Sequence, residues 1–355
     1  VTGQTRIGVG SAFGSCGELL QGVTAEDDRH FLVTLPIRGG SVALFEPGGP
    51  DVRVYPPHKT KALRLATGMI ERSAALRGGR LTVFSDLPEG KGLASSTADL
   101  VATARAIADA EHRTASTAEI EAGLRVIEPS DGVMYPGSVA YCHREVRLLA
   151  RLGQLPALTV VVGDEGGAVD TVEFNRRPRP FSAAVKGEYS ALLARLGTAI
   201  ARRDAAGIGA VATRSAVLSA ALRDRPHLDA TIAAACEAGA LGVVVAHSGT
   251  TTGLLLDDSD ADYRRKVVAA QRICAEFADS VSVHHTWRPS PPDGAQPQAA
   301  GGSGHDHAIP PLGERAREHV RGLAGGRAEA LPGRGGIARS VGPAAHQEPA
   351  EVWVR

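Results

Sequence analysis

The chain has 355 residues, 43% of them hydrophobic, and its 39 Lys and Arg balance 39 Asp and Glu. That length suits two domains of roughly 100–200 residues. The neutral balance lacks the basic footprint with which nucleic-acid binders meet phosphates, so any anionic ligand must be held locally by a loop or a helix end. Cys16, Cys142, Cys236 and Cys274 form no Cys-x-x-Cys pair, which argues against a zinc knuckle or a disulfide framework. No charged-then-apolar leader is present and no apolar run nears the ~18 residues of a membrane span. The expectation is a cytoplasmic protein with reduced thiols and neither a membrane nor a nucleic-acid partner.

In chain order, residues 31–37 and 41–45 read as two paired strands joined near Gly39-Gly40, and 52–55 and 81–84 as further strands between turn signals. Leu65, Met69, Ile70 and Leu76 mark an amphipathic helix ending near Gly78-Gly79. Ser96-Thr97-Ala98-Asp99 reads as a capping box before an Ala-rich helix to about His112, and Ser116-Thr117-Ala118-Glu119 as a second, before Ile120, Leu124 and Ile127. Pro129 pushes Glu128 out of the α region and stops that helix. Past a break at 153–156, residues 158–162 predict a buried strand. Helices follow near Tyr189 to Ile200, 208–222 and 228–238. A strand pair at 241–246 and 253–256 surrounds a tight loop, and a last helix (Tyr263 to Phe277) and strand (281–285) complete an α+β second half. From about Pro289 onward Pro, Gly, Ala, Arg and His dominate, which predicts a disordered tail over 289–355 with one short helix near 314–323.

The stretch Pro88-Glu89-Gly90-Lys91-Gly92-Leu93-Ala94-Ser95-Ser96-Thr97-Ala98 carries the chemistry. A strand leads into a Gly-rich loop and then into a helix. Gly90 and Gly92 let backbone N–H groups face a ligand without a Cβ in the way. The helix start adds free N–H groups and the positive end of its dipole, an anion site suited to polyphosphate. Ser95 and Ser96 add hydroxyls where Mg²⁺ and phosphate oxygens both need oxygen partners. The spacing fits neither a Walker A loop nor a Rossmann fingerprint, and a plain strand-to-helix turn with a Ser cap would look similar.

Pro88, Gly92, Leu93, Ser95, Ser96 and Ala98 resemble, position by position, the second signature motif of the GHMP kinases. Ser15-Cys16-Gly17-Glu18-Leu19-Leu20-Gln21-Gly22 and Ala246-His247-Ser248-Gly249-Thr250 are similar to the first and third motifs of the PduX-like L-threonine kinases of cobalamin side-chain synthesis. Glu128-Pro129-Ser130-Asp131 and residues 166–175 also resemble that subfamily. The likeness runs from about 11 to 287. Phe13 stands where that subfamily has Pro, and residues 132–137 do not follow its pattern.

The resemblance implies an α+β, two-domain GHMP kinase fold. An N-terminal ribosomal S5 domain 2-like domain (1–153) would hold ATP and Mg²⁺, and a ferredoxin-like domain (154–288) would close over a hydroxy amino acid. It implies a phosphate loop of Pro88, Gly90, Lys91, Gly92, Leu93, Ala94, Ser95 and Ser96, backed by Ser248 and Gly249. Mg²⁺ would lie on Ser95 and Glu128, and Asp131 would face the acceptor hydroxyl. Glu18, Gln21, Asp170 and Thr171 would meet the substrate, Glu18 pairing with an ammonium. Read without the resemblance, Glu128 and Asp131 also suit a Pro-Ser-Asp-Gly turn with solvated acids. Likewise Lys91 and Glu18 suit solvated surface charges, and His247 either orders its loop or is a half-buried core histidine. L-Threonine leads as acceptor. Homoserine, serine and amino alcohols are alternatives, as is a catalytically silent ligand-binding homologue, against which the retention of both Glu128 and Asp131 argues.

Overall fold

The computed structural model describes residues 6–167, 181–220 and 225–288. Compactness separates residues 1–316 from 317–355, and the second unit lies outside the described residues. The expected tail and its short helix therefore lie there too, as do Asp170, Thr171 and residues 173–175. Among the described residues no helix is long and apolar enough to cross a membrane.

Two long antiparallel strands, β1 (Gly8–Val23) and β2 (His30–Pro47), form the centre of the sheet. Both are almost wholly buried, because helices or further strands cover both faces. This corrects the expected hairpin at Gly39-Gly40. The two apolar runs are one strand, and Gly39 (φ +113°) absorbs a bulge opposite Phe13 and Gly14 instead of reversing the chain. β4 (Gly79–Ser85) pairs antiparallel with β2, and β3 (Val52–Tyr55) adds parallel to β4 at the edge. β5 (Ser138–Cys142) pairs with β2 and with β6 (Arg147–Gly153).

The helices α1 (Thr60–Glu71), α2 (Ser95–Ala110) and α3 (Thr117–Arg125) pack together against this half. Small side chains at Ala98, Ala102 and Ala106 let α2 lie largely buried on β1 and β2. The Ser116 cap forms, its hydroxyl accepting from Glu119 N–H. The Ser96 box does not. α2 begins two residues earlier, at Ser95, capped by Ala94 in the left-handed region (φ +57°) with no side-chain cap bond. Asp99 instead accepts from Ser41 Oγ at 2.5 Å and pairs with Lys59 at 2.6 Å.

The second half runs β7 (Leu158–Asp164), α4 (Ala183–Arg202), α5 (Ala205–Ala220), α6 (Leu228–Glu237), β8 (Gly242–Val245), β9 (Thr251–Asp257), α7 (Tyr263–Ala275) and β10 (Ser280–His285). Its strands are antiparallel in the order β10-β7-β9-β8, the split βαβ arrangement of ferredoxin-like folds. Val161, Val243, Leu254 and Leu256 fill a core of its own with Leu228, Ala235, Ala270 and Cys274. β8 joins β1 through the pair Val245 and Glu18, so one sheet runs through both halves. Beyond β10, Thr286 bridges to Ile37, and the Trp287 ring stacks on Phe13 at 4.8 Å. Phe13 thus has a packing role at the position where the threonine-kinase motif carries Pro.

Candidate active site

The loop between β4 and α2 is clamped from two sides. Ser15 N–H donates to the Leu93 carbonyl at 3.2 Å and Gly17 N–H to the Gly92 carbonyl at 3.3 Å, which ties the N-terminal motif to the loop. From the other side, Thr251 Oγ1 donates to the Lys91 carbonyl at 3.1 Å. Gly249 packs so closely that a Cβ there would lie 2.2 Å from the Lys91 carbonyl oxygen and 2.5 Å from Gly92 Cα. Gly90 (φ +73°) and Gly92 (φ +86°) occupy the left-handed region. The loop therefore presents itself and the first N–H groups of α2 to one cleft, with the helix dipole behind them. Lys91 reaches across to Asp164 at 2.7 Å and the Gly167 carbonyl at 2.6 Å. Burial raises the Asp164 carboxyl, but hydrogen bonds from Lys91, Thr250 and Gly166 N–H outweigh it and hold it below its ordinary value. Lys91 is thus neither a free surface charge nor turned onto the cleft.

The cleft is small, with a cavity volume of ≈ 80 Å³, and opens to solvent at its mouth. Gly90, Gly92 to Thr97 and Ser248 line one wall, and Glu128 to Asp131, Glu18, Leu32, His143 and His247 the rest. Pro88 is exposed and outside this lining. The 128–131 turn is fixed at three points. Asp131 N–H donates to Thr97 Oγ1 at 3.2 Å, Ser130 N–H to the His143 carbonyl at 3.0 Å, and Ser130 Oγ to the Glu128 carbonyl at 3.0 Å. The segment after it is held by Arg105, which donates to the Met134 and Ser11 carbonyls at 3.0 and 2.6 Å.

Glu128 is buried, and the hydroxyl that donates to its Oε1 is that of Ser96. Burial, then the neighbouring Glu128 charge, pushes the Asp131 carboxyl up to about 6. Burial, then the charge of Asp131, raises Glu18 well above the ordinary carboxylate range, and Glu18 Oε2 is buried without a hydrogen-bond partner. Three carboxyl groups thus line the cleft and raise one another's protonation, Asp131 acting on Glu18 and Glu128 on Asp131.

Gln21 stands behind this floor. Its Nε2 donates to the Val245 carbonyl at 3.4 Å, which turns its Oε1 to His247 Nδ1 at 2.9 Å, so His247 carries its hydrogen on Nδ1. His247 is half-buried, lines the cleft and stacks edge-on against His143 at 4.8 Å. Gln21 orders His247 and is not part of the lining. Cys16 is buried beneath it, its thiol raised by burial and by Glu18, a packing residue. His143, Lys59 and Lys61 were not singled out from the sequence. Each is far along the chain from its site partners, and no local motif marks it.

Residues 60–134 match the GHMP kinases N terminal domain family. Among curated proteins, the L-threonine kinase of Citrobacter freundii is 27% identical over 272 residues, covering 75% of this chain and 92% of that protein. The L-threonine kinase of Salmonella typhimurium is 29% identical over 266 residues, covering 71% and 83%. Among solved structures, the homoserine kinase of Cytophaga hutchinsonii superposes with a TM-score of 0.58 at 18% identity, covering 79% of this chain and 94% of that one. The L. major mevalonate kinase in complex with R-mevalonate gives 0.59 at 16%, covering 80% and 96%. The fold is that of the GHMP kinases. With the matched segment and two L-threonine kinases similar over most of their length, the chain is a phosphotransferase acting on a hydroxyl, similar to the GHMP kinases. Among the proteins it resembles over most of their length, the two named here are L-threonine kinases.

Ser96, not Ser95, supplies the hydroxyl at Glu128. Ser96→Ala is therefore expected to lower kcat by about tenfold or more, since Glu128 loses its hydroxyl partner, and Ser95→Ala by less. Steady-state kinetics at varied Mg²⁺ checks the order, and equal losses, or a larger loss for Ser95→Ala, would move the assignment back to Ser95.

Proposed function

We propose that the chain transfers the γ-phosphoryl group of ATP to the side-chain hydroxyl of L-threonine, giving O-phospho-L-threonine and ADP. The observation that carries this reading is the single cleft that brings the phosphate loop, Asp131 and the unpartnered carboxylate of Glu18 together. Gly90 to Ser96 would cradle the ATP phosphates, with Ser248 and Gly249 behind them. Ser96 and Glu128 are hard oxygen donors of the kind Mg²⁺ takes, and Ser95 lies beside them. The chemistry Mg²⁺ supplies when bound is neutralisation of charge on the phosphates. Asp131 would orient the acceptor hydroxyl and accept its proton as the oxygen bonds to γ-phosphorus and the bond to the β–γ bridging oxygen breaks. Glu18 would pair with the ammonium, and Leu32 offers the apolar surface that a threonine methyl needs. A cytoplasmic setting and a place in assembly of the cobalamin side chain belong to the same reading.

The test is kinetics on L-threonine, L-serine and L-homoserine with ATP and Mg²⁺. Threonine is expected to give the highest kcat/KM. Serine should be lower by the ~1–3 kcal/mol that one methyl contributes. Homoserine should be low because its longer arm carries the oxygen off the in-line path. Glu18→Gln should raise the KM for amino acids while leaving ATP binding in place. A clear preference for homoserine, or for an alcohol without an amine, overturns the threonine assignment.

A further inference from the structure

Glu128 is 3% exposed, and its two oxygens face different partners. Oε1 takes the Ser96 hydroxyl, while Oε2 pairs with Lys61 Nζ at 2.6 Å. Lys61 stands on the first turn of α1, 46% exposed, and extends its ammonium from solvent to the buried carboxylate. Lys59, two residues earlier, is a different case. It is 10% exposed and fixed between Asp99 and Glu89, both at 2.6 Å, as a structural tie.

A divalent cation held by Ser96 and Glu128 would need the carboxylate that Lys61 now neutralises. An ammonium and a doubly charged ion within a few ångströms repel each other, most strongly where burial lowers the local dielectric. Lys61 is half-exposed, so its ammonium can return to water, but the buried Glu128 carboxylate then needs another cation in its place. We propose that Lys61 is the exchangeable counter-ion of the metal position. It neutralises Glu128 while the metal is absent and withdraws when a divalent cation binds, so that metal affinity is set by this competition. The proposal rests on Ser96 and Glu128 facing the metal and is independent of which alcohol is phosphorylated.

The experiment is titration of the full-length chain with Mn²⁺ alone, without nucleotide, reading free Mn²⁺ by electron paramagnetic resonance. Lys61→Met is expected to bind Mn²⁺ roughly tenfold more tightly than the parent, from the removed repulsion and competition. Lys61→Gln should follow it, and Lys61→Arg should stay near the parent. In a Glu128→Gln background the Lys61→Met gain should vanish. The proposal is overturned if the neutral variants bind no more tightly than the parent, if the same gain persists without the Glu128 carboxylate, or if none of these proteins binds Mn²⁺ measurably. Acceptor kinetics with L-threonine reports separately on the proposed function, so the two ideas fail independently.

Discussion

Asp131→Asn is expected to lower kcat by about 10²–10⁴-fold, the usual contribution of a positioned general base, while making the protein more stable at pH 7.5. The parent's kcat/KM should rise with pH through about 6, where burial and the Glu128 charge place this carboxyl, and the variant should lose that limb. The stability sign follows from the same shift. The folded-state value lies above the ordinary 3.8, so the native protein binds more protons than the unfolded chain between pH ~4 and 6. Its stability therefore falls as pH rises through that window. Asn removes this cost, and a gain of about 1–3 kcal/mol at pH 7.5 is expected, discounted for the partial exposure of the group. Below pH ~4 the gain should vanish, because aspartate is then neutral in both states. Thermal melts at pH 4 and 7.5 beside pH–rate profiles check both halves. A variant that is inactive but no more stable at pH 7.5 would show that Asp131 is not held at a cost.

Gly92→Ala has the second large expected effect. Gly92 sits at φ +86°, and a Cβ there would lie 2.4 Å from Ala246 Cβ. Left-handed backbone costs an L-residue about 1–2 kcal/mol, and overpacking a further ~1–3 kcal/mol. The strain falls on a loop bonded through its Gly92 and Leu93 carbonyls to Gly17 and Ser15, so the loop's own N–H groups lose their alignment for a polyphosphate. The KM for ATP should rise by about tenfold or more and the melting temperature should fall. A variant with parental KM for ATP would show that the loop does not hold the nucleotide in this conformation.

The phosphate loop was legible in the sequence because its chemistry is local, with Gly90, Gly92 and the helix start adjacent along the chain. The 128–131 carboxylates were legible through the resemblance, but not their burial, which depends on Thr97 and His143 contributed by other elements. Gly39-Gly40 carried a turn signal and formed a bulge, since the pairing of β1 with β2 is set by long-range register. The Ser96 hydroxyl is free to meet Glu128 because the helix cap lies two residues before it, at Ala94, whose left-handed conformation no propensity rule favours. The 4-1-3-2 order of β7 to β10 follows from topology, which strand periodicity does not encode. Lys61 and Glu128 are 67 positions apart, and nothing local announces their meeting.

The most direct test of the central claim is ³¹P nuclear magnetic resonance of the products formed from ATP, Mg²⁺ and L-threonine. O-Phospho-L-threonine should accumulate in step with ADP, and both should depend on Asp131. ADP released only with inorganic phosphate, or no phosphothreonine while another alcohol is phosphorylated, would contradict it.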